Sequence, residues 1–126
     1  MPNKLTKNFT RDEFACQGKD CCDHSSPISL LLVASLQELR NKLGSGIEVT
    51  SGFRCVKHNK RVGGAASSFH CLGLAADVKA SNGTSPNDLA RLAEEIYPFQ
   101  KGGIGIYRSW IHLDVRNSGP ARWTKS

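Results

Sequence analysis

Apolar residues recur along the chain at two periods, and the change of period marks its elements. Leu32, Leu36, Leu39 and Leu43 fall at helical spacing ahead of Gly44, with Ser26-Pro27 reading as an N-cap and first helical residue. A core helix is therefore predicted from about Pro27 to Leu43. Ile47-Glu48-Val49-Thr50 alternates and is partly β-branched, which predicts a strand running into a turn at Ser51-Gly52. Ala75 to Lys79 reads as a second strand. Ser85-Pro86 repeats the cap signal, and Leu89, Leu92, Ala93 and Ile96 line one face of a second helix that stops before Pro98. Two shorter turns flank this frame: a capping box at Thr10-Arg11-Asp12-Glu13, and a helical turn from His58 to Val62 ended by Gly63-Gly64.

The last third predicts a hairpin from Ile104 to Arg108 and Trp110 to Arg116. Because side chains alternate along a strand, Trp110, His112 and Asp114 share one face while Ile111, Leu113 and Val115 share the other. The apolar face packs on helices and the polar face is left for chemistry. The expected fold is α+β: a small, mainly antiparallel sheet with helices packed on one face and a cleft on the other.

Composition narrows the function. A length of 126 residues suits one domain over the whole chain, 1–126, with no internal repeat and no linker. The opening MPNKLTKNFT has lysines without an apolar run behind them, and no later stretch approaches the ~18 apolar residues of a membrane span. Synthesis in the cytoplasm without a signal peptide is expected, with no membrane insertion and a monomer as the default. Seventeen basic residues against eleven acidic give +6, which favours anionic partners in general. The basic residues are scattered without aromatic interleaving, so a nucleic-acid partner is not expected.

Five cysteines, an odd number, argue against a secreted disulfide framework. Cys16, Cys21 and Cys22, with His24 close behind, read either as thiols or as ligands of a structural metal, although C-x4-CC-x-H is not the paired C-x2-C spacing of zinc knuckles. Cys55 and Cys71 directly follow Arg54 and His70, which predicts that these two thiols lie near each other.

The stretch SSFHCLGLAADV sets His70 ahead of Asp77 with Gly73, Ala75 and Ala76 leaving little bulk between them. A strand carrying Asp77 beside a strand carrying His112, with His70 arriving from the preceding loop, assembles two imidazoles and a carboxylate. That is the three-ligand set of a catalytic zinc site whose fourth position holds water. Taken singly, such a histidine and aspartate are more ordinary features, a capped loop and a surface charge.

Several motifs in one order give that set more weight. SSFHCLGLAAD resembles the S-x-H-x-x-G-x-A-x-D motif of the M15 metallopeptidases, zinc D-Ala-D-Ala carboxypeptidases and endolysins that cut peptidoglycan peptides. TSGFRC is similar to that family's S-G-[YF]-R element, HNKRVGGAASSFH to its N-x-x-V-G-G-x-x-x-S-x-H run, and WIHLDVR to its terminal H-x-D-x-R strand. The likeness runs from about Asn8 to Trp123. It implies Zn2+ held by His70, Asp77 and His112, Arg54 as a clamp for the substrate carboxylate or the oxyanion, and Ser68 as a substrate hydrogen-bond donor.

The general base departs from the pattern. Much of the family has an acidic residue three positions before the last zinc histidine, and here that position is Ser109. Asp114, on the same strand face as His112, is either the catalytic base or a residue that orients a ligand or Arg54. A strand-end carboxylate paired with Arg116 or Arg122 is the plainer alternative. Tyr107 and His58 are outside candidates for transition-state hydrogen bonding, and Trp110 for lining the cleft.

The expected function is zinc-dependent hydrolysis of peptide bonds in bacterial peptidoglycan stem or cross-link peptides, as a D,D-carboxypeptidase or endopeptidase. A phage endolysin that reaches the wall through another protein's pore fits the missing signal. The rival is a non-catalytic, zinc-stabilised wall-binding module, since the hedgehog signalling domain shares this zinc-site architecture and serves mainly in binding. His112-Leu113-Asp114 also opens the triad of non-haem iron oxygenases, but that triad needs a later histidine and none follows His112.

Overall fold

A computed structural model describes residues 3–22, 27–65 and 68–125. The order is a 3-10 helix (Arg11–Phe14), α1 (Leu30–Leu43), β1 (Ile47–Ser51), α2 (Val56–Arg61), a second 3-10 helix (Phe69–Leu72), β2 (Ala75–Ala80), α3 (Pro86–Ala93), α4 (Tyr97–Gln100), β3 (Gly103–Ile106), β4 (Ile111–Asp114) and β5 (Ala121–Thr124). The fold is α+β with a five-stranded sheet in the order β1-β2-β4-β3-β5, antiparallel except where β5 joins β3 in parallel.

Most elements form where the pattern placed them, with boundary shifts that have local causes. Helix α1 starts three residues later than expected: Ser29 is its cap, accepting the Leu32 N–H at 3.3 Å, while Ser26 lies outside the described residues. Its far end is Gly44 in the left-handed region, φ 73°, the usual glycine stop. The Glu13 carboxylate closes the capping box on the Thr10 N–H at 2.6 Å. Ser85 caps α3 on the Asp88 N–H at 3.2 Å, but the helix ends at Ala93 rather than running to Ile96. Ile96 is extended, and Tyr97-Pro98 opens the separate short helix α4, where a proline needs no N–H partner. The hairpin strands are shorter than expected because the turn closes early, with the Tyr107 N–H donating to the Trp110 carbonyl at 2.9 Å.

Strand β5 was not foreseen. Its four residues alternate half-buried and exposed, and Arg122 points to the helices, where Glu94 pairs with it at 2.8 Å. Nothing in Ala-Arg-Trp-Thr announces a strand, because a parallel partner is long-range in sequence.

One face of the sheet packs on the helices. Val78, Ile104, Ile111 and Leu113 meet Leu32, Val33, Leu36 and Leu39 of α1, Leu89 and Ala93 of α3, and Phe99 of α4, all at 2 % exposure or less. At roughly 25 cal/mol per Å² of apolar surface removed from water, each such leucine or phenylalanine contributes about 2 kcal/mol. Among the described residues no helix is long and apolar enough to cross a membrane.

The opposite face owes its chemistry to register. Ser51, Asp77, His112, Gly105 and Trp123 are successive partners across all five strands, so one rung carries them. The register slips between Val49 and Ser51, which brings Ser51 opposite Asp77, and the Thr50 hydroxyl donates to the Asp77 carbonyl at 3.2 Å. A second rung holds Ala75, Asp114, Gly103 and Ala121.

Candidate metal centre

Asp77 and His112 face each other on β2 and β4, and His70 reaches them from the 3-10 helix between α2 and β2. His70 Nε2 lies 3.3 Å from Asp77 Oδ1, His112 Nδ1 lies 3.4 Å from the same oxygen, and the two rings meet edge to face with centroids 5.2 Å apart. The three ligand atoms fall within 4.8 Å of one another. All three residues are buried.

Each imidazole has its other nitrogen already committed. His70 Nδ1 sits 2.8 Å from the Gly52 carbonyl, which only accepts, so Nδ1 carries the proton and Nε2 presents its lone pair to the centre. The Arg54 N–H donates to the His70 carbonyl at 3.2 Å, so the β1–α2 connection holds the histidine from both sides. His112 Nε2 lies 2.7 Å from Asp114 Oδ2, another pure acceptor, which leaves Nδ1 turned inward. Two imidazole lone pairs and one carboxylate oxygen thus converge on a point with no proton of their own to share. The donor set fits a divalent cation.

The charges respond to that crowding. Burial pushes the Asp77 carboxyl up, but the adjoining His112 and His70 imidazoles, wherever they take up a second proton, outweigh it and hold the group well below the ordinary carboxylate range. Burial likewise opposes a charge on His112, yet Asp114 and Asp77 raise its pKa above the ordinary 6.5.

Asp114 is fully buried and crowded with donors. Its carboxylate accepts from the Gly103 N–H at 2.8 Å, the Arg116 N–H at 3.1 Å, Arg116 Nε at 2.8 Å and Arg116 Nη2 at 2.6 Å, besides His112. Burial works to raise its pKa, but Arg116 and then His112 hold it well below the usual range. Arg116 is fixed in turn, with its guanidinium 4.3 Å from the centre of the Phe69 ring. Of the two arginines considered as partners, Arg116 pairs with Asp114 and Arg122 with Glu94.

Arg54 lies at the other edge. Its Nε donates to Ser51 Oγ at 3.2 Å, Nη1 to Asn59 Oδ1 at 3.1 Å and Nη2 to Asp77 Oδ2 at 3.3 Å. Three of the five guanidinium N–H groups are used, leaving two for an anion. Asn59 is itself locked by donating to the Ala65 carbonyl at 2.8 Å. Gly64 must be a glycine here, since a Cβ would collide with Asn59 Oδ1 and stand 3.0 Å from Arg54 Nη1.

An open cleft of about 390 Å³ exposes the centre, within the usual size range of small-ligand sites. His70, Asp77, His112, Arg54, Ser68 and Tyr107 all line it. The Ser68 oxygen accepts the His70 N–H at 3.2 Å, which caps the 3-10 helix. His58 and Trp110 do not line it: His58 belongs to α2, and Trp110 stacks on Tyr107 at 4.7 Å. The aromatic wall is instead Trp123, whose ring lies 4.9 Å from that of His112 and whose Nε1 donates to the Tyr107 hydroxyl at 3.0 Å. It covers Gly105, where any Cβ would strike the indole. Trp123 and Asn59 were not singled out in the sequence; for Trp123, Gly103 and Gly105 on one face of GGIGI were the available sign that side chains from elsewhere cross that strand.

A family model described as Peptidase M15 matches residues 7–114. No curated protein matches the chain significantly.

Proposed function

Because the chain belongs to the M15 peptidase family, we propose that it is a zinc-dependent peptidase acting on peptide bonds of bacterial peptidoglycan, as a carboxypeptidase or endopeptidase. The observation that carries this reading is the convergence of His70 Nε2, Asp77 and His112 Nδ1, each oriented by a second partner, at the floor of an open cleft. A zinc ion held there supplies Lewis acidity and brings the pKa of water down to about 7.

The chain's own residues supply the rest. Arg54, permanently charged and braced on three sides, offers its two remaining N–H groups to a substrate carboxylate or to the oxyanion of a tetrahedral intermediate. The Tyr107 oxygen accepts from Trp123, so its own proton is available to the peptide carbonyl. Ser68 keeps a hydroxyl proton for substrate after capping the helix. Asp114 is a positioning residue in this scheme: with five hydrogen-bond donors around it and no exposure, it orients His112 rather than exchanging protons.

One observation favours a second reading. Among the described residues lining the cleft, Asp77 is the one carboxylate, and it belongs to the ligand set, so no acid stands where a general base would act. A metal-stabilised module that binds wall peptides without cutting them has the same geometry.

The deciding experiment is incubation with purified peptidoglycan, with and without a chelator, and mass spectrometry of the released fragments. Chelator-sensitive release is expected, and the new termini name the bond. Binding to peptidoglycan by a folded, zinc-loaded sample without any release overturns the peptidase in favour of the binding module.

A further inference from the structure

Four cysteine sulfurs from two separate stretches meet outside the cleft. Cys16, Cys21 and Cys22 belong to the segment that follows the first 3-10 helix, and Cys55, which caps α2, lies 34 residues beyond Cys21. Cys16 Sγ is 3.8 Å from Cys21 Sγ, which is 3.9 Å from Cys22 Sγ, and all four sulfurs fall within 4.8 Å of one another. A tetrahedral ion with metal–sulfur bonds of about 2.3 Å sets its ligands about 3.8 Å apart. Thiols are weak donors and weak acceptors, so hydrogen bonding alone gives four of them little reason to converge.

We infer that Cys16, Cys21, Cys22 and Cys55 form a structural zinc site, separate from the His70–Asp77–His112 centre and independent of the peptidase reading. The local backbone is shaped for it. Asp20 adopts φ 55°, the left-handed region that few residues other than glycine, asparagine and aspartate enter, and it turns the chain just before the consecutive pair Cys21-Cys22. Gly18 has no room for a side chain: a Cβ would lie 2.6 Å from Cys21 Sγ and 2.8 Å from His58 Nδ1. The Cys55 sulfur accepts the His58 N–H at 3.4 Å, an N–H···S bond of the kind that orients a ligating thiolate.

Cys16 is buried and the other three are half-buried, so four sulfurs close the shell without an open position. A closed all-sulfur tetrahedron is the arrangement of structural rather than catalytic zinc, and soft thiolates select that ion over hard cations. Each thiol that ionises on binding gives its proton to solvent and its sulfur lone pair to the ion, so no oxidant or reductant enters. Cys71, expected beside Cys55, stays outside the four, and His24 lies outside the described residues. Because Cys55 adjoins Arg54, the ion ties the 16–22 segment to the connection that carries the anion clamp.

Protein purified under reducing conditions tests this through metal content and cobalt substitution. The full chain should hold about two zinc ions, one per ligand set. His70→Ala should keep one, and after exchange to cobalt it should retain an intense sulfur-to-metal charge-transfer band. Cys55→Ser should lose that band and one ion while keeping the histidine-bound one. Should Cys55→Ser fail to fold, alkylation of the unaltered chain decides: one thiol, Cys71, should react readily, and the other four only after a chelator is added. The site is overturned if cobalt binds without a thiolate band, if the thiols alkylate equally with and without chelator, or if intact mass shows them paired as disulfides.

Discussion

The two ligand groups come together at neighbouring residues, Arg54, which braces Asp77 of one, and Cys55, which belongs to the other, and they are built by different means. His112 and Asp77 hang from adjacent strands, so their separation follows from sheet register, and His70 is pinned to the Gly52–Arg54 backbone. The cysteines hang from turns, where a left-handed aspartate and a bare glycine set the directions of the sulfurs. A sheet holds its ligands in place with or without an ion, because apolar burial on the far face fixes the register. A group built on turns has little apolar surface beneath it, so the ion itself must supply much of the local stability.

That contrast can be broken from the sheet side first. Asp77→Ala or His70→Ala should remove the histidine-bound ion and lower peptidoglycan cleavage by on the order of a thousandfold or more, with thermal stability little changed; zinc analysis and fragment release measure both. Arg54→Ala should retain zinc and cost about a hundred- to a thousandfold in turnover, and Arg54→Lys should not restore it, because a point charge cannot engage Ser51, Asn59 and Asp77 together.

Asp114→Asn sharpens the comparison at its hinge. As a positioning change it should reduce zinc affinity or activity by about ten- to a hundredfold, whereas abolished turnover with full zinc would make Asp114 the proton acceptor. It also has a pH signature. The folded pKa of Asp114 lies below its unfolded value near 3.8, so its stabilisation is present above that value and is lost as pH falls through the folded pKa. Denaturant unfolding should therefore show an acid-side decline in the parent that is shallower in Asp114→Asn. Smallest of all, Gly105→Ala should cost about 1–3 kcal/mol in the same assay, since a methyl group there displaces the Trp123 indole.

The residues that carried the sequence reading are those whose signal is local. Helical spacing of leucines, the Ser85-Pro86 cap and the alternation of Trp110 to Arg116 translate into elements, and the alternation alone put His112 and Asp114 on the polar face. What was not legible depends on partners distant in the chain. Trp123 acquires its place only when β5 pairs in parallel with β3, and Asn59 only when Arg54 folds back on it. The four-sulfur set was half visible: three cysteines were noted together, but Cys55 was set beside Cys71 alone, because adjacency in sequence to Arg54 does not say that a capping thiol turns toward the 16–22 segment.

The rung from Ser51 to Trp123 makes the molecule intolerant of changes in strand length. One residue inserted or deleted inside β2 or β4, short of the ligand, turns an aspartate or histidine toward the leucines of α1 and an apolar neighbour toward water. Two residues restore the facing but shift the ligand by about 6.8 Å along the strand, past the reach of its partners. Length variation in this protein therefore belongs in the connections, and the strands that bear Asp77 and His112 have a reading frame of their own.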